Sequence, residues 1–522
     1  MKILSAAQTR ALDQATITEQ GITSAELMER AAQALLRWFH GRYGHGQQPA
    51  DTLLLCGPGN NGGDGLALAR LLHGAGYVVR VALLPTEKHS ADWQHNRQRL
   101  PAAVPVADLD PAALPALAPG TVVVDALLGT GLSRPLAAAA AQVVRWLNAQ
   151  PVRVLAVDLP SGLFADQPQP ADSPVVRADD TVSFGLPKLA FLLPQNTDFV
   201  GEWSVEDIEL SRPFIAEADT PWHLTQLPPT EAHPWTGTPP PAPDVALPRR
   251  GKFSYKNTFG HALLLAGSRG KAGAALLAAG AALRGGAGLL TVAVPACAET
   301  VLQTAAPEAM CLADRRRGHL SVLPDLAPYQ AIGMGPGIGQ HPDTLDLLRQ
   351  LLAAPSVAAG TVPLVLDADA LNLLGQHREL LALLPKNTVL TPHPGEFTRL
   401  TEPARDDYHR LELLREFAQQ HKVIVVLKGA YTAVAAPDGQ VYFNSTGNPG
   451  LATGGSGDVL TGLTLALRAD KRLAPLHAAR LAVLAHGHAA DLAVRETGEA
   501  GMLAGDVVRH LGPALRELES KE

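Results

Sequence analysis

The sequence predicts an α/β fold built twice, as two domains that each carry a parallel sheet covered by helices. Three observations predict it. Short apolar runs alternate with helix-like stretches along both halves of the chain, as βαβ units require. Apolar residues make up 46% of the sequence but aromatics only 5%, so the core is aliphatic, which suits helices on parallel strands better than an aromatic-rich sandwich. Residues 213–248 hold 10 prolines in 36 positions, and 522 residues exceed one ordinary domain, so this stretch reads as a stiff linker between domains 1–212 and 249–522.

The elements follow in order. Ser24 to Ala31 reads as a helix preceding the first sheet. Thr52–Cys56, Val78–Leu83, Val122–Asp125 and Val154–Asp158 are short apolar runs, expected of strands covered on both faces, and Leu66–Gly74 is a helix between the first two. In the second half, His261–Ala266, Leu289–Val294, Val362–Asp367 and Val423–Lys428 read as strands and Ala272–Ala282 as a small-residue helix. No repeat aligns the two halves, which points to two unrelated α/β domains.

Composition excludes several classes. Disorder is incompatible with the apolar content, and a net charge of −7 argues against a general nucleic-acid or anionic-membrane binder. The cysteines Cys56, Cys297 and Cys311 form neither a disulfide framework nor a zinc pattern. No apolar run has signal-peptide or membrane-span character, so a soluble, cytoplasmic protein is expected.

Glycine-rich strand ends carry the chemistry. Cys56-Gly57-Pro58-Gly59-Asn60-Asn61-Gly62-Gly63-Asp64-Gly65 follows a strand and opens a helix, where glycines let N–H groups approach a phosphate. It lacks the Gly-Lys-Ser/Thr of a Walker loop. Asp125 and Asp158 end strands, the ligand edge of open α/β sheets, although such acids also serve as turn formers. In the second half, Gly333-Met334-Gly335-Pro336-Gly337-Ile338-Gly339 forms a glycine turn. Leu366-Asp367-Ala368-Asp369-Ala370-Leu371-Asn372 and Thr391-Pro392-His393-Pro394-Gly395-Glu396 close two strands. Gly454-Gly455-Ser456-Gly457-Asp458 precedes a helix, so its N–H groups suit phosphates and Asp458 can take a proton from a hydroxyl, or simply cap the helix. His393, fixed between prolines, suits substrate contact. Lys428-Gly429-Ala430-Tyr431-Thr432 suits a nucleotide phosphate and ribose, or is a plain turn.

The run GPGNNGGDG, DALLGTG, DLPSGL and Phe184-Gly185-Leu186-Pro187-Lys188 resembles the YjeF N-terminal domain, the NAD(P)H-hydrate epimerase family, across residues 1–212. The resemblance implies a Rossmann-like domain binding NADHX or NADPHX beside a potassium ion. Its potassium ligands would be Asn61, Asp125 and Ser161. Its substrate contacts would be Asn60, Asn61, Gly62, Gly63 and Asp64, then Gly129, Thr130, Gly131, Leu132, Ser133, Arg134 and Pro135, and Asp158. Asp158 then reads as the acid/base and Lys188 as its partner, unless that lysine is a solvated surface residue.

GMGPGIG, DADALN, TPHPGE and GGSGD resemble the ribokinase-like ADP/ATP-dependent NAD(P)H-hydrate dehydratases across residues 249–518. This implies NAD(P)HX contacts at Ala274, Gly337, His393 and Asp458. Nucleotide contacts would fall at Lys428, Gly429, Ala430, Tyr431, Thr432 and Gly457, with Asp458 as catalytic base, ADP as phosphoryl donor and Mg2+ beside it. One departure is Tyr255-Lys256-Asn257-Thr258-Phe259-Gly260, where that family begins with His and carries a further Gly. A homo-oligomer without nucleic-acid or membrane partners is the expected assembly. Two rivals stay open: a small-molecule kinase with a fused nucleotide-sensing domain, which leaves TPHPGE and the first half unexplained, and a non-catalytic binding module, which leaves Asn61, Asp125 and Asp158 without a purpose.

Overall fold

The computed structural model describes residues 1–44, 51–227 and 245–520. They divide into two compact units, one of residues 2–220 with 406–408 and one of residues 1, 221–405 and 409–522. Among the described residues no helix is long and apolar enough to cross a membrane.

The first unit is an all-parallel sheet in the order β3-β2-β1-β4-β5-β6-β7. Its strands are β1 Asp51–Cys56, β2 Val79–Leu83, β3 Val106–Asp108, β4 Thr121–Ala126, β5 Arg153–Val157, β6 Asp180–Phe184 and β7 Glu202–Glu206. This is a doubly wound arrangement whose strand order reverses between β1 and β4, the place where such sheets bind ligands. Alternation along β1 explains the two-sided core. Leu54 and Cys56 face one apolar layer with Leu66, Leu72 and Val124, while Leu53 and Leu55 face the other with Val123, Val143 and Leu147. The helices α1 Ala6–Gln20 and α2 Ser24–Tyr43 both start in capping boxes, from Ser5 with Gln8 and from Thr23 with Glu26.

The second unit has ten strands in the order β11-β10-β9-β12-β13-β14-β15-β16-β17-β8. They are β8 Trp222–Thr225, β9 His261–Leu265, β10 Leu289–Pro295, β11 Met310–Asp314, β12 Ala331–Met334, β13 Leu364–Leu366, β14 Val389–Leu390, β15 Ile424–Leu427, β16 Ala433–Ala435 and β17 Val441–Asn444. The sheet is parallel from β11 to β15, and β16 runs antiparallel to both of its neighbours. The helix Ser456–Ala469 is buried along most of its length and packs its Val459, Leu460 and Leu463 against Val365, Val389 and Ile424.

Three expectations need correction. The helix expected at Leu66–Gly74 begins at Asn60, so the Asn-Asn-Gly-Gly-Asp run is its first turns and not a loop. Gly333 and Met334 belong to β12, and the glycine turn starts only at Gly335. The linker 213–248 is not a bare tether at its described ends. Arg212–Glu217 is a short helix whose Phe214 and Ile215 pack on Leu4, Leu12 and Leu27. Trp222–Thr225 pairs in register with Val441–Asn444, and Val245 is core. Four residues free of proline suffice for an edge strand within this stretch. Residues 228–244 of that stretch lie outside the described residues.

Candidate active sites

In the first unit a cavity of about 580 Å³ opens at the carboxyl ends of β1, β4 and β5. The helix α3, Asn60–Gly74, reaches it with Asn60, Asn61 and Asp64. Its glycines act by close approach. A Cβ on Gly62 would lie 1.8 Å from the Gly57 carbonyl oxygen, and one on Gly65 would lie 2.7 Å from Ala126 Cβ and 2.8 Å from Cys56 Sγ. Gly62 and Gly63 are buried, Gly62 against the Gly57 backbone that follows β1 and Gly63 against Met28 and the Trp93 backbone of neighbouring helices. Neither is among the residues that line the cavity. Gly129, Thr130, Gly131 and Leu132 do line it, whereas Ser133, Arg134 and Pro135 lie on the exposed continuation of that loop.

Asp158 follows β5 with φ of 62°, a left-handed conformation that Asp tolerates better than most residues. Its Oδ1 accepts a hydrogen bond from the Ser183 hydroxyl at 3.0 Å and lies 3.2 Å from Lys188 Nζ. Lys188 is buried, so the solvated-surface reading of this lysine falls. Asp13 of α1 lines the same cavity, and nothing in its sequence setting marks it. Burial first and the Asp158 charge second raise its carboxyl to about 6, against the pull of Lys188. Burial, with Asp158, Asp13 and Asp92 adding negative charge, pushes Asp64 well above the ordinary carboxylate range.

Behind the cavity Asp125 is fully buried. Its Oδ1 accepts the Ser161 hydroxyl at 2.6 Å and the Leu127 N–H at 3.2 Å, and its Oδ2 accepts the Ser161 N–H at 2.8 Å. Burial outweighs these bonds and raises it to about 6. Asp125 is thus a turn former, as one reading had it, and also a carboxylate with no cation beside it among the described ion pairs. Asn61, 8% exposed, carries a buried Nδ2 without a partner, and its amide lies against Gly129.

In the second unit the acids gather at the carboxyl ends of β13, β14 and β15. Lys428 Nζ lies 2.9 Å from Asp367 Oδ1 and 3.8 Å from Glu396 Oε2. Burial alone would lower this ammonium, but the two carboxylates outweigh it and raise it. Thr461 donates to Asp367 Oδ2 at 2.6 Å and so ties the Ser456 helix to the end of β13. That helix starts after Gly455 in a left-handed conformation, φ 96°, and Gly457 and Asp458 stand in its first turn. Asp458 is therefore not the helix cap, and no side-chain capping bond forms. A Cβ on Gly457 would be 3.4 Å from Lys428 Nζ, which brings the helix start and the lysine together. Burial first, then the charge of Asp367, lifts Asp458 to about 6, with Lys428 opposing. His486 is buried, burial lowers its pKa to about 4, and its Nε2 donates to the Ser456 carbonyl at 3.0 Å.

Gly337 and Ala274 sit side by side, since a Cβ on Gly337 (φ 62°) would lie 3.0 Å from Ala274 Cβ. Asp369 accepts the Gly339 N–H at 2.9 Å and lies 3.2 Å from Lys271 Nζ. His393 has a structural role that sequence did not show. Its Nδ1 accepts the Gly395 and Glu396 N–H groups as cap of the helix Pro394–Leu400, and its Nε2 lies 3.4 Å from Glu396 Oε1. Gly429 and Ala430 are exposed, and Thr432 closes their turn by donating to the Gly429 carbonyl at 3.0 Å. The sequence reading missed Asp367, Glu396 and Thr461 as site residues. The signal for the first two was available, because both are acids in quoted strand-end motifs.

Two α/β units, each with lysine-paired carboxylates at the carboxyl ends of parallel strands, define a two-site enzyme. A family profile described as YjeF-related protein N-terminus matches residues 24–190, and one described as NAD(P)H-hydrate dehydratase matches residues 262–512. The bifunctional NAD(P)H-hydrate repair enzyme of Moorella thermoacetica is 38% identical, with 100% of this chain and 98% of that protein covered. Its counterpart from Thermofilum pendens is 35% identical over 99% and 97%. The ADP/ATP-dependent NAD(P)H-hydrate dehydratase of Bacillus subtilis, crystallised with ATP and Mg2+, is 34% identical over 52% of this chain and 95% of that one, with a TM-score of 0.45. The chain belongs to the family of bifunctional NAD(P)H-hydrate repair enzymes.

Proposed function

We propose that the first unit interconverts the two epimers of NADHX and NADPHX, and that the second dehydrates one of them with ADP, giving NAD(P)H, AMP and phosphate. The observation that carries this reading is the pair of strand-end clusters, in separate units, each holding a lysine-paired carboxylate and a second carboxyl raised to about 6.

In the second unit Asp458 takes the proton of the substrate hydroxyl, whose oxygen attacks the β-phosphorus of ADP while AMP leaves. The N–H groups at the start of the Ser456 helix and the Lys428 ammonium hold the phosphates. The ring-nitrogen lone pair then expels phosphate, and loss of a neighbouring proton restores the dihydropyridine. Asp367, Glu396, Asp369 and Asp458 set four carboxylates against Lys428 and Lys271, a surplus of oxygen donors that suits Mg2+. When bound, that ion would neutralise phosphate charge, and Asp367 and Glu396 would hold it.

In the first unit Asp158 accepts the hydroxyl proton as the C–N bond of the hydrated ring opens. Asp13 supplies a proton to the ring nitrogen, and reclosure on the other face inverts the carbon. Asp13 and Asp158 differ in setting, one desolvated and one held by Lys188 and Ser183, which separates acid from base. The buried Asp125 carboxylate, the Ser161 oxygen and the Asn61 amide, turned so that its oxygen takes the orphaned position, fit potassium. That ion would supply fixed positive charge behind the cavity.

Mixed NADHX epimers given to the purified chain with ADP should regenerate NADH completely, followed by absorbance. A stable phosphorylated product would instead favour the kinase reading. Parallel runs with ATP test the donor, and light scattering tests the homo-oligomer.

A further inference from the structure

The second unit holds another cavity, of about 310 Å³, at the opposite edge of its sheet from the acid cluster. Its walls are the segments that lead into β12, β13 and β14, with Gln330, Thr361, Lys386 and Asn387, together with Arg468 at the far end of the Ser456 helix and Lys471 just beyond. Arg468 is the unusual member. It is 7% exposed, its Nε is buried with no hydrogen-bond partner, and among the described residues no ion pair reaches it. Burial without a compensating charge lowers it to about 10. The nearby Asp470 carboxylate does not serve it, because Arg472 holds both Asp470 oxygens, Nε at 3.0 Å from Oδ1 and Nη2 at 2.7 Å from Oδ2.

A buried guanidinium without an anion is costly, and proteins almost always pair one. An arginine near a helix C-terminus can be satisfied by the last carbonyls. Among the described residues no such hydrogen bond is made. The same negative helix end opposes an anion, so any affinity must come from Arg468 with the two lysines. Lys386 and Lys471 are exposed at the cavity rim, and the Asn387 amide adds an uncharged donor, whereas the Thr361 hydroxyl is already given to the Ser356 carbonyl at 2.7 Å.

We propose that this cavity is a second ligand site, one that takes the phosphate group of a small molecule between Arg468, Lys386 and Lys471. A planar guanidinium fork suits a tetrahedral dianion, and two flexible ammonium groups close over it. The cavity exceeds the volume of a bare phosphate ion, so both free phosphate and a mononucleotide phosphate can enter. The site is independent of the catalytic reading, since it shares no residue with the acid cluster.

The test is calorimetric, on the full chain in phosphate-free buffer, with inorganic phosphate and AMP as separate probes. The variants are Lys386→Ala/Lys471→Ala, whose positions are exposed, and Arg468→Met. Expected for phosphate is a binding event whose affinity falls at least tenfold in the double variant, while dehydration at saturating ADP is unchanged. Competition decides the source: displacement of phosphate from this event by AMP makes the ligand a nucleotide, and failure to displace makes it free phosphate. Equal phosphate and AMP binding by wild type and the double variant would overturn the proposal. So would a folded Arg468→Met protein that melts higher and keeps full phosphate binding, because the arginine would then be an uncompensated structural charge.

Discussion

Asp458 shows how a residue's setting fixes its pH dependence. The proposed reaction uses its ionised form, and burial with the Asp367 charge lifts it to about 6. Dehydration should therefore be flat above that pH and fall about tenfold per unit below it. Asp458→Asn should lower dehydration by about 10²–10⁴ and leave epimerisation intact, as initial rates with each pure epimer would show. Asp158 calls for a different substitution. Its positive φ is tolerated by Asn, so Asp158→Asn should lose epimerisation without backbone strain but with a lower melting temperature, because the buried Lys188 ammonium loses its carboxylate, whereas Asp158→Ala adds about 1 kcal/mol of backbone strain to that loss. For Asp125 the sign runs the other way from an ordinary salt-bridged acid. Its native value of about 6 lies above its ordinary 3.8, so stability is full below pH 4 and erodes as pH rises toward 6, by about 3 kcal/mol. A potassium ion bound to the ionised group would restore this. Potassium chloride should raise the melting temperature over tetramethylammonium chloride at pH 7 but not at pH 5, and Asp125→Asn should remove the difference. Most of this site was legible in sequence because glycine and acid mark strand ends. Asp13 was not, since an aspartate within an ordinary helix has no local sign of the cavity it faces.

At the scale of elements, the glycines of α3 matter through packing more than through loop freedom. Gly62→Ala would put a methyl group 1.8 Å from a backbone oxygen, a clash that no side-chain rotation relieves. The helix must move away from β1, and with it Asn61 and Asp64. We expect a loss of about 1–3 kcal/mol and a parallel loss of epimerisation, measured by denaturant melts and rate. Gly74→Ala, at the far end of the same helix, meets nothing within 4 Å and serves as control. The same elements show what sequence can tell. Central strands such as β1 and β9 were readable because burial on both faces makes them continuous apolar runs. β6, β7 and β8 were not, because edge and near-edge strands of four or five residues carry polar side chains and depend on neighbours for their existence, and β16 and β17, of three and four residues, are too short to carry a pattern. The helix start at Asn60 was missed because Asn and Gly are poor helix formers, and here the close seat on the sheet overrides propensity.

For the whole molecule, the question is where the chain can be cut. Proline counting suggests fragments 1–212 and 249–522, but each would lose part of its own unit. The first would lose the helix Arg212–Glu217, which covers Leu4, Leu12 and Leu27. The second would lose β8, leaving the β17 backbone unpaired on one side, and also Val245 and the Leu247 pairing with Glu519. An uncovered strand edge invites association with other copies. Fragments 2–220 and 221–522 keep these elements and separate the two proposed sites. We expect the second pair to be soluble, each with its own activity. The fragment from 249 should melt lower than the fragment from 221 by roughly 2–4 °C for each kcal/mol lost, and should aggregate at the newly bared edge. Side-by-side melts and light scattering decide the matter. If the fragment from 249 matched the longer one in melting temperature and dispersity, β8 would be an ornament of the sheet, and the proline-rich stretch would be a simple tether after all.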